Sequence, residues 1–114
     1  MINTPQDMSQ IITSFMALLD KKDNNAIFKM FAPDAHVQDF EASQHRGAGI
    51  LGFFRDWPPR SMNIKVDKQM INDRMAIISL TLMGGGFAKP TPAKITMSVN
   101  DKWLFKLMKF ELGG

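Results

Sequence analysis

The chain contains no cysteine and no tyrosine among its 114 residues. Without cysteine there are no disulfides, no thiolate nucleophile and none of the cysteine-built zinc sites. Without tyrosine, no phenolic hydroxyl can donate a proton or hydrogen bond in any site. Histidine is also scarce, with His36 and His45 the only two, and neither stands at the spacing of an HExxH or facial-triad metal site. No apolar run approaches the roughly 18 residues needed to span a bilayer. The N-terminal MINTPQDMSQ lacks a basic segment ahead of an apolar one, so the expectation is a cytoplasmic protein with no membrane partner.

Charge of one sign is never concentrated. The net charge is +3, and the excess lies mostly beyond Arg60, where Lys65, Lys68, Arg74, Lys89 and Lys94 stand singly among apolar residues. Solvated strand faces read this way, whereas nucleic-acid binding calls for a clustered basic patch or stacking aromatics. No nucleic-acid partner is expected. GGGF at 84–87 lacks the lysine and the strand-to-helix setting of a phosphate loop, and no GxSxG nucleophile motif occurs.

What is present is ordinary in bulk and unusual in detail. Apolar residues form 45% of the chain and charged residues 22%, a globular composition. A chain of this length buries roughly two-thirds of its unfolded surface in one core, so residues 1–114 are expected to form a single domain. Ten Met and nine Phe make either a soft core or a pocket that adapts to varied apolar ligands.

Periodicity predicts three helices and then strands. Thr4 and Pro5 are placed to cap and open a helix running to Lys21, with Met8, Ile11, Ile12, Phe15, Leu18 and Leu19 on one stripe. KKDNN interrupts it. A short second helix is expected through Phe31 to Ala32, stopped by Pro33. AHVQDF then alternates as a strand, with Val37 and Asp39 on one face and His36, Gln38 and Phe40 on the other.

EASQHRG reads as a polar loop, followed by a third helix from Gly47 to Arg55 that buries Ile50, Leu51, Phe53 and Phe54. Beyond Ser61 the period falls to two in MNIKVDKQMI, RMAIISLTL, KITMSV and WLFKLMKFEL. Asn72–Asp73 and Asn100–Asp101 suit tight reversals, and GGGF with KPTP suits a longer bend or a bulge. Segregated helices and mainly antiparallel strands define an α+β class. The last strand is apolar on both faces, so a homodimer through the sheet is the simplest cover for the second face.

NTPQDMSQIITSFMALLDKKDNNAIFKMFAPDAHVQDFEASQHRGAGILGFF resembles the N-terminal half of the ketosteroid isomerases and SnoaL-like polyketide cyclases of the nuclear transport factor 2-like superfamily. The likeness covers residues 3–57. It rests on the long helix, the short helix ending in FAPDA, the strand with VQD, and the glycine opening the third helix. It implies a cone-shaped, cystatin-like fold: a curved mixed or antiparallel sheet packed on three N-terminal helices. It also implies an apolar pocket in which Asp39 is the base that shuttles a proton between carbons of an enolisable ketone.

The oxyanion-stabilising tyrosine and acid of those isomerases fall on Phe15 and on Ile95 or Thr96. Losing one such donor typically costs about 3 to 4 kcal/mol of transition-state stabilisation. Steroid isomerisation by that route is therefore disfavoured, and Trp57, Trp103, Ser79, Thr81, Thr96 and Ser98 are the replacement donors to examine.

The pocket expected around Asp39 is lined by Phe15, Val37, Phe54, Trp57, Met97 and Trp103. Burial without a cationic partner would raise the Asp39 carboxyl toward working pH. In the plainer alternative Asp39 is structural, accepting hydrogen bonds from backbone or from Arg46. Glu41, His36 and His45 are expected at the surface. The expected partner is a small apolar molecule, and no metal or organic cofactor is implied. A non-catalytic dimeric ligand- or protein-binding module is the competing reading, because fold alone does not imply activity.

Overall fold

The computed structural model describes residues 7–113. Its first helix, α1 (Met8–Lys21), is capped by the Asp7 carboxylate, which accepts from the Gln10 backbone N–H. Asp7 therefore stands one place ahead of the helix and caps it; Thr4 and Pro5, the residues expected to cap and open it, lie outside the described residues. Met8, Ile11, Ile12, Phe15 and Leu19 form the buried stripe. Lys22, in the left-handed conformation, ends the helix, and its N–H returns to the carbonyls of Leu18 and Leu19.

Helix α2 (Asn24–Phe28) is shorter than expected, and strand β1 (Phe31–Gln38) begins at once. Phe31 and Ala32 thus belong to a strand. Pro33 acts further back than a simple stop would: it favours extended backbone at the residue before it and cannot donate to a ladder. The pairing of β1 is irregular between Phe31 and His36, the stretch that contains this proline.

The segment expected as a loop holds a second strand, β2 (Gln44–Arg46), which pairs with β1 as His36–Arg46, Val37–His45 and Gln38–Gln44. Helix α3 (Ala48–Asp56) follows Gly47, whose φ of 53° suits glycine. Strands β3 (Asn63–Asn72), β4 (Met75–Gly84), β5 (Phe87–Val99) and β6 (Phe105–Leu112) complete a six-stranded sheet in the order β2-β1-β6-β5-β4-β3. The β1–β6 pair is parallel and the others are antiparallel, so the sheet is mixed.

Two expectations about the second half change. KPTP is strand rather than bend, since Pro92 pairs with Thr81 and Thr91 with Leu82. Pairing between β5 and β6 begins only at Ala93–Leu112. Pro90 thus lies in a stretch bonded on one side, and Pro92 stands at the margin of the β6 pairing, where its carbonyl accepts from the Gly113 N–H at 2.8 Å and a missing N–H is tolerated. On β6, a register shift sets Ser98 opposite Leu107 and Val99 opposite Phe105. The extra residue brings Phe105, Met108 and Phe110 all to the buried side. The far face is then more polar than strict alternation predicts.

The helices cover one face. Ala76, Ile78, Leu80 and Leu82 of β4, Ile95 and Met97 of β5, and Phe105, Met108 and Phe110 of β6 join the buried stripes of α1 and α3 in one cluster. Its centre is aromatic: Phe15 meets Phe54 and Phe105 edge-on at 5.9 and 5.4 Å, and Phe31 touches the same two rings.

Candidate functional site

Asp39 follows β1 directly, and its carboxylate is fully engaged. Oδ1 accepts from the backbone N–H groups of Glu41 and Ser43 at 2.9 and 3.0 Å, which ties the β1–β2 turn, while Oδ2 lies 2.8 Å from His45 Nε2. The side chains are 18% exposed for Asp39 and 25% for His45, so the pair is sheltered but reachable.

Pairing geometry explains why the two groups meet. In an antiparallel pair, opposed residues project to the same side. His45 is opposite Val37, which is buried, and Asp39 follows Val37 by two. Arg46, the cation expected to serve Asp39, is opposite His36 and exposed.

The expected rise in the Asp39 pKa is not found. Burial works upward on the carboxyl. The hydrogen bond from His45, the two backbone N–H bonds and the positive charge that His45 can carry together outweigh it and hold the group below its ordinary value of 3.8. Asp39 is thus a poorer base than a buried, unpartnered carboxylate, and it orients a histidine. With Nε2 committed to the carboxylate, His45 Nδ1 is the ring nitrogen left to accept a proton.

A surface hollow of about 680 Å³ opens beside this pair, lined by Asp39, Phe40, Glu41, His45, Phe53 and Trp57 with Gly49, Gly52, Arg55 and Asp56. The His45 ring lies 5.3 Å from Phe53, which stacks on Trp57 at 6.0 Å with a 15° tilt. Phe40 and Phe110 pack against Trp57 from the sheet side. Aromatic walls and the small glycines of α3 leave room for a flat apolar body beside one imidazole.

The sequence-predicted lining residues divide. Trp57 lines the hollow. Phe15, Val37, Phe54 and Met97 are wholly buried in the core cluster and do not line this hollow. Trp103 stands elsewhere. It lies in the turn before β6, at the Phe31 end of the parallel β1–β6 pair rather than the Asp39 end, with the Arg74 guanidinium 4.0 Å over its ring.

The positions matching the family's oxyanion donors are apolar on the inner face: Phe15 and Ile95 are both fully buried, whereas Thr96 is half-exposed and pairs with Ile77 and Lys109. Among the replacement donors, Thr81 is spent on Asp67. Trp57 lines the hollow, and its indole N–H has no hydrogen-bond partner among the described residues. Glu41 is exposed at the rim, as expected. No cluster of three or more metal-ligating side chains occurs, and no helix is long and apolar enough to cross a membrane, among the described residues.

His45 is the functional candidate that sequence reasoning missed. The available signal was its place six residues after Asp39, which becomes meaningful only if the polar stretch between them is a hairpin.

No family model and no curated protein matches the chain in sequence. Solved structures do match in shape. A nuclear transport factor 2-like protein of unknown function from Mesorhizobium loti aligns with a TM-score of 0.78 at 12% identity, over 96% of this chain and 97% of that one. A candidate polyketide cyclase from Sinorhizobium meliloti aligns at 0.79 and 19% identity, over 90% and 94%. A candidate ketosteroid isomerase from Kribbella flavida aligns at 0.77 and 15%, over 92% and 76%. At these identities the likeness establishes architecture alone, and by that architecture the chain has the nuclear transport factor 2-like fold.

Proposed function

We propose that the protein binds a small, mostly apolar carbonyl compound in the aromatic hollow and moves a proton on it, with His45 as the base and Asp39 as the residue that holds it. The observation carrying this reading is the 2.8 Å contact between Asp39 Oδ2 and His45 Nε2 at the mouth of that hollow. In the step, the carbon–hydrogen bond next to the carbonyl breaks and its proton passes to His45 Nδ1. The electron pair moves onto the carbonyl oxygen as an enolate, which the Trp57 indole N–H is available to stabilise. Once His45 trades the proton with solvent, reprotonation at the same carbon gives exchange, and in a conjugated ketone delivery to another carbon gives isomerisation.

The fold supports this class without specifying it, since solved proteins of this shape include a candidate cyclase and a candidate isomerase. The test is hydrogen exchange into a panel of enolisable aryl ketones in heavy water. Wild-type protein should accelerate exchange of at least one ketone, His45→Gln should lose about 100-fold or more, and Asp39→Asn should lose less and shift the pH profile. Exchange that is undiminished in His45→Gln would overturn the assignment.

A second reading, a non-catalytic dimeric module, draws on a different observation. Met70 and Met75 are 56% and 49% exposed on one face at the β3–β4 end of the sheet, an apolar patch suited to a partner surface.

A further inference from the structure

Next to the aromatic hollow lies a second one of about 660 Å³, and the two share Arg55 and Asp56 as a common wall. Its charged lining consists of Lys21, Lys22, Arg55 and Arg60 against the single carboxylate of Asp56. These cations come from three separate places: the C-terminal end of α1, the last turn of α3 and the segment after Pro59. Lys21 and Arg55 also suit the carbonyl ends of their helices. That local account does not extend to Arg60, which has neither an ion-pair nor a hydrogen-bond partner among the described residues.

Lys22 Nζ donates to the Pro58 carbonyl oxygen, which ties the end of α1 to the chain that leaves Trp57.

Resting on the reading of His45 and Asp39 given above, we infer that the ligand is anionic at one end. Its apolar carbonyl-bearing body lies on Phe53 and Trp57 beside His45, and a carboxylate, sulfonate or phosphate reaches past Arg55 into the hollow of Lys21, Lys22 and Arg60. Arg55, on the wall common to both hollows, is placed to meet the anion whichever length of ligand is taken. Converging charges of one sign at a cleft draw an oppositely charged ligand and make its binding salt-sensitive.

The test compares anilinonaphthalene sulfonate with its uncharged counterpart phenylnaphthylamine, using the His45 imidazole resonance to report occupancy of the aromatic hollow. Both dyes should shift His45. The sulfonate should bind about fivefold or more tightly than the neutral dye, lose that advantage at about 0.5 M salt, and lose it also in the Lys21→Gln, Arg60→Gln double variant. The neutral dye should be indifferent to both changes. If both dyes shift His45 with equal, salt-independent affinities, the anionic end is wrong while the reading of the dyad stands. If neither dye shifts His45, both fall.

Discussion

Asp39 serves two neighbours at once, the turn that follows β1 and the imidazole across the hairpin. Removing its carboxylate should therefore cost both stability and the orientation of His45. Asp39→Ala is expected to lower stability by about 1–2 kcal/mol at neutral pH, because two backbone N–H groups and the histidine lose a charged acceptor. The pKa of this carboxyl is lower in the folded chain than its ordinary value. Its contribution is thus fully present above the ordinary carboxylate range and lost as pH falls through the folded value. The gap between wild type and Asp39→Ala, followed by urea denaturation, should close as pH drops below about 4; a gap that widens on acidification would contradict this.

At Phe15 the expectation is also specific. Its ring contacts Phe54 and Phe105 with no exposed surface. Phe15→Tyr would therefore bury a hydroxyl among rings and destabilise the chain by about 1–3 kcal/mol rather than restore a working donor.

At the scale of elements, one tight turn and one register shift decide what the sheet presents. Gly84 has a φ of 77°, and a Cβ there would stand 2.4 Å from the Ser61 carbonyl oxygen. Gly84→Ala should cost about 2 kcal/mol or more in thermal or chemical denaturation. Gly52→Ala, in α3 with nothing within 4 Å of the added carbon, should be stabilising by about 0.5–1 kcal/mol. Similar effects at the two sites would contradict the backbone account.

The elements also show what was legible. Helices α1 and α3, the face shared by Val37 and Asp39, and the four later strands follow from apolar spacing, because a buried face imposes its period on the residues that cover it. Strand β2 has three residues, too few for alternation to appear, and its polar composition imitates a loop. Asp39 was therefore visible and its partner was not. The first half of β5 was hidden for a related reason, since KPTP looks like punctuation until its place at the margin of the β6 pairing makes its prolines admissible.

The whole molecule places its two unspent features at separate locations. The aromatic hollow with His45 lies against α3 and the end of β1, and the apolar patch of Met70 and Met75 lies at the β3–β4 turn. Met70 pairs with Ile77 and Met75 with Asn72, so Met70, Met75 and Ile77 project from the face opposite the helices. That face is otherwise mixed, with Ser79, Thr96 and Lys109 among its half-exposed residues. If copies pair through it, the contact centres on these methionines. Met70→Glu with Met75→Glu should then convert a dimer to a monomer in sedimentation velocity, leaving ketone exchange within about twofold. A mass unchanged by the double variant would remove this patch from any self-association.

The central claim, that His45 is held by Asp39 beside a ligand-sized aromatic hollow, is tested most directly by nitrogen NMR of the two histidines during titration with acetylnaphthalene. His45 should show the tautomer with its proton on Nε2, bonded to Asp39, and its Nδ1 resonance should move as the ketone binds. His36, on the other face of β1, should stay still. A proton on Nδ1 in the free protein, or two histidines that respond alike, would contradict the account.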